Sequence, residues 1–135
     1  MVYLQKMIEG RECLLCALAG QNDCPTLDFL NDLKRDNERE YVKIMAYLAR
    51  TADHGPPVKN KEKCRYFPQL KAFELKTTGG VRIMAFWDAD RLIVCSHGFM
   101  KRSRKTPKEQ LTRLTRSREQ YFDAQSRNAI VWKKD

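Results

Sequence analysis

Between Leu70 and Gly98 apolar and polar side chains alternate with a period of two. The segments "LKAFELKT", "VRIMAFW" and "RLIVCSHG" therefore read as three consecutive strands. Their links, "TGG" and "DAD", are short enough to favour an antiparallel meander. In the first strand Phe73 and Leu75 share one face while Glu74 and Lys76 share the other; in the second, Arg82 alternates with Val81 and Ile83. Charged groups thus line one side of the expected sheet.

Before Leu70 the period differs. Residues 12–19 read as a buried first strand, and the turn formers of "GQNDCP" follow it. A helical hairpin comes next. Leu27, Leu30 and Leu33 form the stripe of its first helix, with Thr26 available as N-cap, and Asn37 with Glu40 makes a capping box for a second helix striped by Tyr41, Ile44, Met45 and Leu48. "HGPP" ends that helix, because a glycine suits a left-handed C-terminal residue and proline cannot continue the ladder; His54 there is a favourable charge near the C-terminal dipole. Residues 59–63 read as an exposed basic connection. Thr106, Pro107 and Glu109 supply an N-cap, a first-position proline and a third-position glutamate for a last helix running to about Phe122, with Leu111, Leu114, Tyr121 and Phe122 near one face. Residues 123–135 read equally as a docked or a mobile tail, and the absence of repeats and linkers makes 1–135 a single expected domain.

Charge sharpens this picture. The total of +9 divides into −1 over residues 1–60, +3 over 61–95 and +7 over 96–135. Residues 96–119 alone hold eight Lys and Arg against two Glu. Such clustering favours a polyanionic partner, whether nucleic acid, an acidic protein or an anionic surface. The longest apolar runs fall short of the ~18 residues a membrane span needs, and "MVYLQKMIEGRE" lacks the pattern of a secretory signal, so a cytoplasmic protein with no membrane association is expected. Five cysteines point the same way, since an odd count favours reduced thiols over a disulfide framework. Cys13 and Cys16 have half the spacing of a zinc knuckle, but residues three apart on a strand point to opposite faces, so buried thiols are favoured over a metal site.

"LKAFELK", then "VRIMAFW", then "HGFMKRSRKTPKEQ" resembles the RelE/HigB superfamily of bacterial and phage toxins, in particular its HigB-like phage-derived branch. The likeness runs from the helical hairpin to Phe122 and weakens before Pro25. It implies an α+β RelE-like domain: an N-terminal helical hairpin, a twisted, mainly antiparallel sheet and a C-terminal helix. It further implies a type II toxin that cleaves mRNA on the ribosome without cofactor or metal and is restrained by a cognate helix-turn-helix antitoxin. By position it carries catalytic roles onto Lys76, Arg82, His97 and Lys101, RNA contacts onto Arg102, Arg104, Lys105 and Lys108, and a supporting role onto Glu74. Lys76 stands where arginine is frequent in that family.

The chemistry of these residue types is compatible with that activity. RNA brings its own nucleophile, the 2′-hydroxyl, so the protein needs to accept one proton, return one to the departing 5′ oxygen and stabilise charge on the phosphorane. His97 could act as acid or base near neutrality, and a lysine among other cations, such as Lys76 beside Arg82, is pushed toward use as a base. Arg82 and Arg102 would fork onto phosphate oxygens. Blander roles stand beside these. His97 next to a glycine at a strand end is also the usual place for a structural imidazole, Glu74 can simply pair with a neighbouring cation, and Arg113, Arg116 and Arg118 read as a solvated helix face. A non-catalytic RNA- or ribosome-binding module of the same fold is the alternative, and a regulator that binds only an acidic protein a third.

Overall fold

Two strands open the chain, β1 (Val2–Glu9) and β2 (Leu14–Ala19), and helices α1 (Pro25–Asp36) and α2 (Glu38–His54) follow them. Strands β3 (Cys64–Phe67), β4 (Ala72–Lys76), β5 (Val81–Trp87) and β6 (Leu92–Met100) come next, then helix α3 (Lys108–Ser126) and strand β7 (Ile130–Trp132). The computed structural model describes residues 1–89, 91–102 and 107–134.

The seven strands form one sheet in the order β3-β4-β5-β6-β2-β1-β7. Pairs β3/β4, β4/β5, β5/β6 and β1/β2 are antiparallel, whereas β2/β6 and β1/β7 are parallel. This corrects the expected α+β fold with an N-terminal helical hairpin: the hairpin is internal, the chain begins on strands, and the sheet is mixed. The cause lies in β1. Its register against β2 shifts between Lys6 and Ile8, so the alternation that starts at Val2 and Leu4 changes phase before the strand ends.

The meander β4–β5–β6 follows the alternation in the sequence. Phe73, Leu75, Val81, Ile83, Ala85, Ile93 and Cys95 pack with Leu30, Leu33, Ile44 and Leu48 beneath α1 and α2. Ala72, Met84, Phe86 and Val94 pack on the other face with Leu4, Leu114 and Tyr121 beneath α3. Burying both faces removes these large apolar side chains from water, each contributing ~1.5–3 kcal/mol. Cys13 lies in the first layer and Cys16 in the second, as residues three apart on a strand require. All five cysteines are free thiols, and burial pushes those of Cys64 and Cys95 up to about 12.

The helix ends depart in detail from their sequence signals. Thr26 does not cap α1; the helix begins at Pro25, whose fixed φ suits the first turn, with Cys24 at the cap and Thr26 buried inside. Asn37 does cap α2, its side chain accepting from Glu40 N–H at 3.3 Å. The Glu40 carboxylate does not complete the box, having another partner described below. Gly55 ends α2 at φ +81°. Helix α3 starts at Lys108 with Pro107 at the cap and continues to Ser126, past the expected end at Phe122; Thr106 lies outside the described residues. No helix among the described residues is long and apolar enough to cross a membrane.

Candidate functional site

The charged side of the meander lies on the α3 face of the sheet. Register places Lys76 opposite Arg82 and Arg82 opposite Phe99; one row further in, Arg65 faces Glu74, Glu74 faces Met84 and Met84 faces His97. Met84 and Phe99 belong to the layer beneath α3, which fixes the face for all of them. Lys101 continues the alternation from Phe99 just beyond β6.

Arg82 is the centre of this group. Its side chain is 13% exposed, and Nη1 donates to the carbonyl oxygens of Thr77 and Val81, at 2.9 Å each. Nε lies 3.6 Å from Glu74 Oε1, an ion pair rather than a hydrogen bond at that length. Glu74 is fully buried, so Arg82 holds the neutralising charge for a carboxylate that water does not reach. Burial lowers the Arg82 pKa and Glu74 opposes the shift.

Lys101 feels the whole cluster. Desolvation holds its ammonium group below the ordinary lysine range; Glu74 works against that shift, and Arg82, Lys76 and Arg65 reinforce it. Lys76 and Lys101 flank Arg82, one from β4 and the other from the end of β6. Two amines on either side of a fixed guanidinium can donate to an anion, and the lowered pKa of Lys101 favours its use as a proton acceptor.

His97 sits apart from this chemistry. It is fully buried, with Nε2 2.8 Å from Gln110 Oε1 and Nδ1 2.8 Å from Ser96 Oγ. With Gln110 as acceptor, Nε2 carries the proton and Nδ1 accepts from the serine hydroxyl. Burial pushes the imidazole pKa down to about 4, aided by Arg113 and opposed by the Gln110 hydrogen bond. The ring stacks on Phe99, with centroids 6.0 Å apart. A β-bulge produces the placement. Met84 pairs with His97 and Ala85 with Cys95, so Ser96 is the extra residue and His97 is turned under α3.

The structure thus brings Glu74, Lys76, Arg82 and Lys101 together and seats His97 between sheet and helix. Arg102 is exposed just past Lys101, Lys108 is exposed in the first turn of α3, and Arg104 and Lys105 lie outside the described residues. Arg113 and Arg116 are exposed on α3, while Arg118 lies over the Phe122 ring at 4.9 Å. Arg65 is the member that the sequence reading missed. It stands opposite Glu74, with its guanidinium 5.3 Å from the Phe67 ring. It carried little signal, because "CRYF" is four residues long, has neighbours Arg65 and Tyr66 both exposed, and follows the basic run at 59–63.

The family model described as phage derived protein Gp49-like (DUF891) matches residues 28–119. The match takes in most of α1, all of α2, strands β3 to β6, the clustered cations and the first two-thirds of α3, leaving β1, β2 and β7 outside it. No curated protein matches the chain.

Proposed function

The chain belongs to the Gp49-like family of phage-derived proteins, and on that premise we propose that it is an mRNA endonuclease of RelE/HigB type. It acts as the toxin of a type II toxin–antitoxin pair on ribosome-bound message in the cytoplasm, and a cognate helix-turn-helix antitoxin restrains it. The observation that carries this reading is the arrangement of Lys76 and Lys101 on either side of a guanidinium fixed by two main-chain carbonyls, with desolvation lowering the Lys101 pKa in support. Lys101 in its neutral form accepts the 2′-hydroxyl proton, and the oxygen so activated attacks the adjacent phosphorus. Arg82 stabilises the charge that builds on the phosphorane oxygens. Lys76, on the other flank of Arg82, protonates the departing 5′ oxygen. The products are a 2′,3′-cyclic phosphate and a free 5′-hydroxyl, and no step requires a metal or cofactor. Arg65, Arg102 and Lys108, together with Arg104 and Lys105, hold flanking phosphates. His97 acts from behind, positioning α3 against β6 rather than exchanging protons with substrate.

Induction in cells followed by mapping of mRNA 5′ ends tests this. Growth arrest with new 5′-hydroxyl ends inside translated messages is the expected result, and purified protein should cut with chelator present. Arrest with intact messages would instead favour the second reading, an RNA- or ribosome-binding module of the same fold. One observation points toward that module: Arg82 Nη1 is already shared between two main-chain carbonyls, which leaves fewer donors for a phosphorane.

A further inference from the structure

The turn between β4 and β5 joins two members of the cationic group. Lys76 closes β4 immediately before it, and Arg82 follows it in β5. The Thr77 carbonyl accepts from Arg82 Nη1 at 2.9 Å and from Gly80 N–H at 3.2 Å. The Gly80 carbonyl in turn accepts from the Lys101 main-chain N–H at 2.7 Å. A shift of this turn would therefore move Lys76, Arg82 and Lys101 together.

One side chain from another element holds the turn. Glu40, in the first turn of α2, is 7% exposed, and its Oε1 accepts from the Thr77 hydroxyl at 2.6 Å. That hydroxyl, itself buried, accepts from Val81 N–H at 3.1 Å. Gly79 lies so close over the Glu40 carboxylate that a Cβ there would collide with it. Lys43 approaches the other carboxylate oxygen at 3.4 Å. A carboxylate desolvated in this way is an expensive feature unless its hydrogen bonds are kept, and a charge-assisted bond of 2.6 Å is of the strong kind. Neither Glu40 nor Thr77 points into the cationic group, so neither touches the substrate proposed above.

We infer that Glu40 and Thr77 are positioning residues for RNA cleavage: the Glu40 carboxylate, through the Thr77 hydroxyl, sets the turn whose carbonyls fix the Arg82 guanidinium and seat Lys101. This rests on the endonuclease reading. It accounts for a buried acid on a helix that carries none of the cations. Capping alone does not require it, because the Asn37 main-chain N–H, from which a capping-box carboxylate would accept, already donates to the Leu33 carbonyl at 2.7 Å.

The test combines turnover with nitrogen-15 NMR of the Arg82 side chain. Thr77→Val keeps the shape and removes the hydroxyl, Thr77→Ser restores it, Glu40→Gln keeps an acceptor oxygen and Glu40→Ala removes it. A misplacement of even 1 Å can cost ~10²-fold in rate, so Thr77→Val should lower kcat by at least ~10-fold while KM changes by less than ~3-fold. Slow rotation of the Arg82 guanidinium, visible as split Nη resonances, should be lost in the same variant. Thr77→Ser and Glu40→Gln should stay within ~3-fold of wild-type kcat, since only the geometry of the bond is retained in each. A folded Thr77→Val protein with an unchanged Arg82 signature, or with unchanged kcat, overturns the inference, and if Glu40→Ala does not fold this variant still decides. If the wild-type protein fails to cut RNA but Thr77→Val still frees Arg82, the nuclease reading falls and the anchoring stands.

Discussion

His97→Gln separates two roles that one imidazole could play. In the folded protein the ring is fully buried, bridges Ser96 and Gln110 and has its pKa pushed down to about 4 from the usual 6.5. At neutral pH the substitution removes at least one of two buried hydrogen bonds and should cost about 1–3 kcal/mol. Acid reverses the comparison. Because the folded pKa is depressed, the unfolded chain binds the proton more tightly; stability falls as pH drops below 6.5 and levels off below about 4. A depression of about 2.5 units at about 1.4 kcal/mol each makes that loss roughly 3 kcal/mol for wild type and nothing for this group in His97→Gln. Urea unfolding of both proteins from pH 8 to pH 4 should show the gap between them closing by about that amount. In the same preparations the variant should cut RNA at pH 7 within ~10-fold of wild type, because general acid–base catalysis by a residue is worth ~10²–10⁴-fold and none is assigned to it. A folded variant that has lost ~10³-fold in cleavage, or a gap that does not change with pH, would refute the structural role.

Lys101→Met should lower kcat by ~10²-fold or more, and the wild-type rise of rate with pH, which reports loss of the Lys101 proton, should be absent in the variant's pH–rate profile. Glu74→Gln removes a carboxylate that holds the Lys101 pKa up, so the same limb should move to lower pH, while a lower melting temperature records the loss of the buried Glu74–Arg82 ion pair. Arg65→Ala and Lys108→Ala should weaken RNA binding mainly at low salt, each reducing the salt slope by ~0.7, the value for one contact on a single strand. Fluorescence anisotropy across a salt series measures it, and an unchanged slope would remove that residue from the RNA path.

The sequence made the site's scaffold legible because its strands are regular. β4 and β5 alternate without interruption, so the shared face of Glu74, Lys76 and Arg82 followed from parity alone. Three strands escaped, for different physical reasons. The phase change at Lys6 and Ile8 hid β1, β3 is four residues long with Arg65 and Tyr66 exposed, and β7 is three residues long. The residues themselves placed one strand, 12–19, before the helical hairpin, and the N-terminal hairpin came from the family resemblance. The placement of His97 was hidden in another way. Strand parity cannot reveal that Ser96 is an extra residue opposite no partner, and that extra residue moves the imidazole from the layer of Cys95, beneath α1 and α2, to that of Leu114. Glu40 was read as half of a capping box, and its real partner, Thr77, lies 37 positions on, beyond any local pattern.

The parallel seam between β2 and β6 also governs how the chain must assemble. The meander β3–β6 is made of neighbours in sequence and can zip from its turns, whereas Leu14 meets Leu92 and Val2 meets Ile130. Closing such loops costs chain entropy before any contact compensates it, so these pairings belong to the slow part of folding. A chain still emerging from the ribosome can pair β1 with β2 at once, while the other edge of each waits, β2 on β6 and β1 on β7 at the far end. A copy interrupted after Lys101 would hold Lys76, Arg82 and Lys101 on its meander and still lack the helix that covers Met84 and Phe86. Its apolar face would be open to water, which makes it a substrate for chaperones and proteases.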